Sequence, residues 1–250
     1  LQLYSQDLVC ETQGYALLDE ARVRFDLNAG SAPVSKARSH PNQVDSRFWQ
    51  YCDESAIASN GAGLRHSADL VWTHLSALKQ KYSLESLVLV VPAHYQTQQL
   101  QLLVGIAKAA GIEPVAVINK AVLAATKISD NTSKPIVFID LHLPQTVVSY
   151  LEPTATTISS SGHGVISGCS IAKLQDAVLN QLQNRFIEQD RFDPLHHADT
   201  EQQLFDQLNA AATAIVERGE AKILANFNTK LYSQSLDEPA WRQASEACFT

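Results

Sequence analysis

The segment from Leu87 to Leu151 constrains this chain more than any other. It opens on Leu87-Val88-Leu89-Val90-Val91, an uninterrupted apolar run closed by Pro92. A run that short, with no polar residue in it, predicts a strand buried on both faces, as in a parallel sheet. Leu100, Leu103, Val104, Ala107 and Ala110 follow at helical spacing, with Thr97 placed to cap the start and Gly111 where a C-cap belongs. Val115 to Ile118 reads as a second strand, Asn119 as a cap and Val122-Leu123-Ala124-Ala125 as a short helix. Ile136 to Ile139 is a third strand ending on Asp140, and Thr146 to Leu151 a fourth after a turn. The order strand–helix–strand–helix–strand implies a parallel α/β layer that restarts in a new unit at Ile136.

Weaker signals flank this segment. Leu1 to Ser5 and Leu8 to Cys10 alternate as short strands, with Gln6-Asp7 as the turn between them. Gly14 to Leu18 and Ala21 to Phe25 flank Asp19-Glu20 as a hairpin. Asn28 to Asn42 is polar, carries Gly30, Pro33 and Pro41, and reads as a loop or short helix. Phe48, Trp49 and Tyr51 form an aromatic cluster suited to core packing, with a partner-binding patch as the alternative. Ser59-Asn60-Gly61-Ala62-Gly63 is a turn-rich link, too weak a pattern for a phosphate loop. Leu70, Val71, His74, Leu75 and Leu78 trace a helical stripe in which His74 reads as a packing residue rather than a ligand.

Beyond the central segment, Ala155 to Ser160 predicts a further strand and Ser159 to Gly164 a flexible turn. Ile171 to about Glu188 and Glu201 to Arg218 predict two amphipathic helices, broken at Asp193-Pro194. His196-His197, in the connecting loop without carboxylate or cysteine support, reads as solvated. Ile223 to Phe227 reads as a strand, and Asp237-Glu238-Pro239 opens a final short segment.

Composition narrows the classes. A net charge of −7 over 250 residues argues against a dedicated nucleic-acid surface, and no run is long enough to span a membrane. The four cysteines, Cys10, Cys52, Cys169 and Cys248, match no metal or redox spacing. Buried thiols in a reducing cytoplasm are the expectation. The chain begins at Leu1 and has no methionine, from which an incomplete copy of a longer chain is expected.

Three blocks of the central segment carry a resemblance. Val91-Pro92-Ala93-His94-Tyr95, Ala109-Ala110-Gly111-Ile112-Glu113 and Val117-Ile118-Asn119-Lys120-Ala121-Val122-Leu123-Ala124-Ala125 occur in that order. They resemble V-P-A-Y-F, A-G-L-E and I-I-N-E-P-T-A-A-A of the ATPase domain of the seventy-kilodalton heat-shock chaperones. Ile139-Asp140-Leu141 falls where that family has its D-L-G-G-G-T phosphate turn, and the likeness covers roughly residues 85–215. The resemblance implies an α/β, ribonuclease-H-like actin/chaperone ATPase fold with two related lobes of mixed sheets flanked by helices. The lobes would be residues 1–130, with an insertion at about 26–75, and 131–250, with a helical extension from about 171. The ligand implied is ATP or ADP with magnesium, Asp140 being the metal position. Nucleotide-binding positions fall at Asp140, His142, Gln145, Lys120, Gly164 and Gly168.

Phosphoryl transfer needs backbone amides around the phosphates, a magnesium ion and a group that positions water. The three glycines expected after Asp140-Leu141 are His142, Leu143 and Pro144, and proline donates no amide. The family's second carboxylate falls at Val147, and its I-N-E-P glutamate at Lys120, which reverses the charge. The first phosphate turn and the adenosine turn have no counterpart. No residue is assigned a catalytic role. The expectation is a cytoplasmic binding or regulatory module with an unknown protein partner, which hydrolyses little or no ATP and binds nucleotide weakly or not at all. A working ATPase whose remaining motifs lie outside this sequence is the alternative, followed by a sugar- or acetate-kinase-like phosphotransferase or a filament-forming actin relative.

Overall fold

The computed structural model describes residues 2–4, 8–12, 14–19, 22–27, 33–57, 63–128 and 134–246. The turns expected at Gln6-Asp7 and Asp19-Glu20, most of the link at 59–63, and Cys248 lie wholly or partly outside them. The chain is mixed α/β. In order it forms β1 (Gln2–Tyr4), β2 (Leu8–Glu11), β3 (Ala16–Asp19), β4 (Arg22–Phe25), β5 (Val44–Asp45), α1 (Phe48–Tyr51) and α2 (Ser67–Tyr82). Next come β6 (Ser86–Val91), α3 (Thr97–Ala109), β7 (Glu113–Asn119), α4 (Lys120–Ala125), β8 (Ile136–Leu141), β9 (Thr146–Pro153) and β10 (Ile158–Ile166). The last elements are α5 (Ile171–Asp190), α6 (Ala198–Arg218), β11 (Glu220–Phe227), β12 (Lys230–Asp237) and α7 (Glu238–Glu246).

Contacts group the chain into two compact units, residues 46–167 and residues 1–45 with 168–250. The lobes that the resemblance implies, 1–130 and 131–250, are drawn at other boundaries.

In the unit of residues 46–167, β6 and β7 pair in parallel across the α3 crossover. Gly111 follows α3 at φ +74°, the left-handed conformation expected of a helix-ending glycine. The cap of helix α3 is Gln96, one residue before the expected Thr97, and the Gln99 side chain accepts from the Gln96 N–H at 3.0 Å. Asn119 caps α4 as expected, its side chain accepting from Ala121 N–H at 2.9 Å. From Ile136 onward a separate three-stranded sheet forms, the antiparallel meander β10-β9-β8, rather than a further parallel layer. Ser159 to Gly164, expected as a turn, instead continues β10, with a register shift between Ser160 and Gly162. The serines pair with β9 backbone there, so small polar residues suffice to extend the ladder.

Two-sided burial of the β6 run is not what forms. Val88 and Val90 are 46% and 44% exposed, because β6 and β7 make a two-stranded sheet covered on one face only. The same alternation governs β8, where Val137, Ile139 and Leu141 are exposed. Its other face turns Ile136 and Phe138 onto Ala121 and Ala125 of α4 and onto Leu151. Helix α2 buries the stripe Leu70, Val71, His74, Leu75 and Leu78 as expected.

In the other unit, β1 pairs with β2 and β3 with β4, both antiparallel, the second pair being the expected hairpin. The 28–42 stretch is described from residue 33 and supplies two 3-10 turns, Val34–Lys36 and Pro41–Gln43. Arg38 ties it down, reaching Asp176 of α5 at 2.5 Å, while its backbone N–H donates to Gln202 of α6 at 2.7 Å. Helices α5 and α6 pack with the β11–β12 hairpin around Phe186, Leu182, Leu204, Ile223 and Leu236. His197 is not simply solvated: its ring stacks on Phe227 at 4.3 Å. No helix among the described residues is long and apolar enough to cross a membrane.

Candidate functional site

The candidate site gathers around the end of β8. Strand alternation places Asp140 on the inner face with Ile136 and Phe138, so its carboxylate is carried into the fold and is only 8% exposed. In the antiparallel register Asp140 lies directly opposite Val147, which is itself buried. An apolar side chain therefore occupies the position where the resemblance would put a second carboxylate.

A buried carboxylate without partners would be costly, and Asp140 has two. Lys120, the first residue of α4, is set by the Asn119 cap where the helix packs on the meander. Its Nζ donates to Asp140 Oδ1 at 2.7 Å. His142 leaves β8 two residues later, and its Nε2 lies 2.9 Å from Asp140 Oδ2. Burial would raise the Asp140 pKa, but His142 and Lys120 together outweigh it and hold the carboxyl below its usual range.

The turn after β8 is closed by the His142 N–H donating to the Gln145 carbonyl at 2.8 Å, with Leu143-Pro144 at its tip. Gln145 is buried and accepts a 2.8 Å hydrogen bond from Gln50 Nε2. Pro144 supplies no N–H to this turn, and the one from His142 is already spent on it.

His94 also belongs to the cluster and was not among the residues singled out for nucleotide. It follows β6, with its ring edge-on to Tyr95 at 5.2 Å and to His142 at 6.0 Å. Both ring nitrogens are buried and have no hydrogen-bond partner among the described residues. Burial, then the neighbouring His142 and His163, push its pKa down to about 4, against the opposing pull of Asp140. The sequence signal was the histidine in Val91-Pro92-Ala93-His94-Tyr95, at a position where the resembling family has tyrosine. Tyr95 itself donates its hydroxyl to the Trp49 carbonyl. Trp49 in turn donates its indole N–H to His74 at 3.1 Å. The aromatic cluster and His74 thus serve packing here, as expected, although Tyr51 stays partly exposed.

Of the expected nucleotide positions, Asp140, Lys120 and His142 come together and Gln145 joins through the turn. Gly164 lies on β10 opposite Val148, with open space where a Cβ would be. Gly168 belongs to the other compact unit and also has room for a Cβ. Neither glycine is required by a close approach of backbone.

The residues present do not fit a magnesium–triphosphate. Both oxygens of Asp140 face protein side chains, Lys120 Nζ on one and His142 Nε2 on the other, and among the described residues no group of three histidines, cysteines or carboxylates is arranged to hold a metal ion. What this arrangement can do is hold a fixed charge pair and a neutral imidazole beneath a closed turn. No family model matches the sequence, and no curated protein matches it.

Proposed function

We propose that this chain is a divergent ATPase-fold domain of the heat-shock chaperone type, acting in the cytoplasm as a binding or regulatory module that does not hydrolyse ATP. The observation that carries this reading is the Lys120–Asp140 ion pair at 2.7 Å with His142 on the second oxygen. In a magnesium-dependent phosphotransferase such a carboxylate must be available to the metal and its waters. Here Lys120 and His142 occupy the two oxygens instead. Support for the fold comes from the parallel β6–α3–β7 unit followed by α4 and a three-stranded meander. The partner is a protein of unknown identity.

Phosphate release with ATP and magnesium tests the reading. The wild-type chain and Asp140→Ala are both expected to match a protein-free blank. Release by the wild type that Asp140→Ala abolishes would instead favour a working ATPase completed by motifs outside this sequence.

A further inference from the structure

The two-residue turn of the β11–β12 hairpin makes Phe227 and Lys230 its first pair, with both turn residues, Asn228 and Thr229, at positive φ. Alternation then turns the backbone N–H and C=O of Ala225 and Ile223 toward β12. Those of Asn226, Leu224 and Lys222 point away, along a free edge. An edge of this kind is a template for another strand.

Helix α6 fills it with side-chain amides. Gln203 Oε1 accepts from the Asn226 N–H at 2.8 Å, and Gln203 Nε2 donates to the Asn226 carbonyl at 3.2 Å. Gln207 repeats the pattern on Leu224, accepting at 3.0 Å and donating at 2.8 Å. The match is geometric. Residues two apart on a strand are separated by about 6.7 Å, and residues four apart on a helix by about 6 Å. Each primary amide offers the same donor–acceptor pair as a peptide group, so the two glutamines present the edge with two rungs of a ladder. Ala211, one turn further along α6, has no amide to continue it. The rest of the edge carries Lys222 and Glu220, both exposed, and charges of this kind discourage pairing.

We infer that Gln203 and Gln207 stand in for a neighbouring strand and so deny the edge of β11 to a second copy of this chain. Without them the Asn226 and Leu224 peptide groups are free to pair with the same residues of another molecule, antiparallel and two-fold symmetric.

Native-state hydrogen exchange and light scattering test this directly. In the wild type the Leu224 and Asn226 amides are expected to exchange as slowly as those of Ile223 and Ala225, and the chain to show no association through β11. In Gln203→Ala/Gln207→Ala, exchange at Leu224 and Asn226 should quicken about tenfold or more at low concentration while Ile223 and Ala225 stay protected. The same variant should dimerise as concentration rises, and adding Leu224→Pro, which removes an edge N–H, should return it to monomer. If the double variant does not fold, Gln203→Ala alone carries the test, read at Asn226. Fast exchange of Leu224 and Asn226 in the wild type would overturn the ladder. A folded variant that stays monomeric, or a wild type already paired through β11, would overturn the blocking role.

Discussion

Asp140 depends on two neighbours, Lys120 and His142. Lys120 is partly exposed, which weakens its Coulombic hold through solvent screening. Lys120→Ala should still destabilise the chain by about 1 kcal/mol, because it removes a charge-assisted hydrogen bond from a buried carboxylate. Urea denaturation at neutral pH measures this, and an unchanged midpoint would mean that His142 alone suffices. Since the folded Asp140 loses its proton below the usual carboxylate range, its contribution is complete above about pH 4. It is lost as pH falls through the lowered value.

The buried histidines act over a different window. Burial lowers His74 to about 3, and burial with the His142 and His163 charges lowers His94 to about 4. Between those values and the ordinary 6.5 the unfolded chain binds protons that the folded chain refuses. Stability should therefore fall as pH drops below about 6.5, by up to about 1.4 kcal/mol per pH unit for each histidine. Denaturant titrations from pH 7 to 4 should show that slope, and His94→Leu should make it shallower. An unchanged slope in His94→Leu would place the His94 imidazole in solvent. His74 was legible in the sequence as a packing residue, because its neighbours on α2 set the stripe. His94 was not, because nothing in its own pattern says that the turn after β8 will bring His142 to it.

At the scale of elements, spacing located most strands and helices, missed β12 and the serine-rich half of β10, and misjudged the environment of β6. The run from Leu87 to Val91 looks alike on both faces, so its sequence cannot say that only one face will be covered. Long-range contacts decide that, and they leave Val88, Val90, Val137 and Ile139 exposed. Ile139→Thr should accordingly change stability by no more than about 0.5 kcal/mol, whereas Leu151→Ala, which empties the cluster under α4, should cost about 2–5 kcal/mol. Comparable losses from the two variants would mean that the outer face of β8 is packed. The hairpin turn gives a gain instead of a loss. Thr229 sits at φ +64°, where a β-branched residue is strained, and Thr229→Gly should raise stability by about 1 kcal/mol. A lowered melting temperature would show that the turn does not hold that conformation.

Across the molecule, the parallel pair and the long helices were legible because each has its own periodicity, whereas the antiparallel meander was legible only as separate strands. The edge contacts of Gln203 and Gln207 were invisible, since glutamine on a polar helix face reads as solvated until a strand is placed beside it. The site shows the same division. The proline at 144 and the valine at 147 are legible in the sequence, while the partners of Asp140 emerge only from the packing of α4 on β8. The account as a whole rests on that carboxylate being committed to Lys120 and His142. Isothermal titration of ATP with magnesium into the wild-type chain tests this most directly. No binding tighter than the millimolar range is predicted, and submicromolar binding that Asp140→Ala abolishes would contradict it.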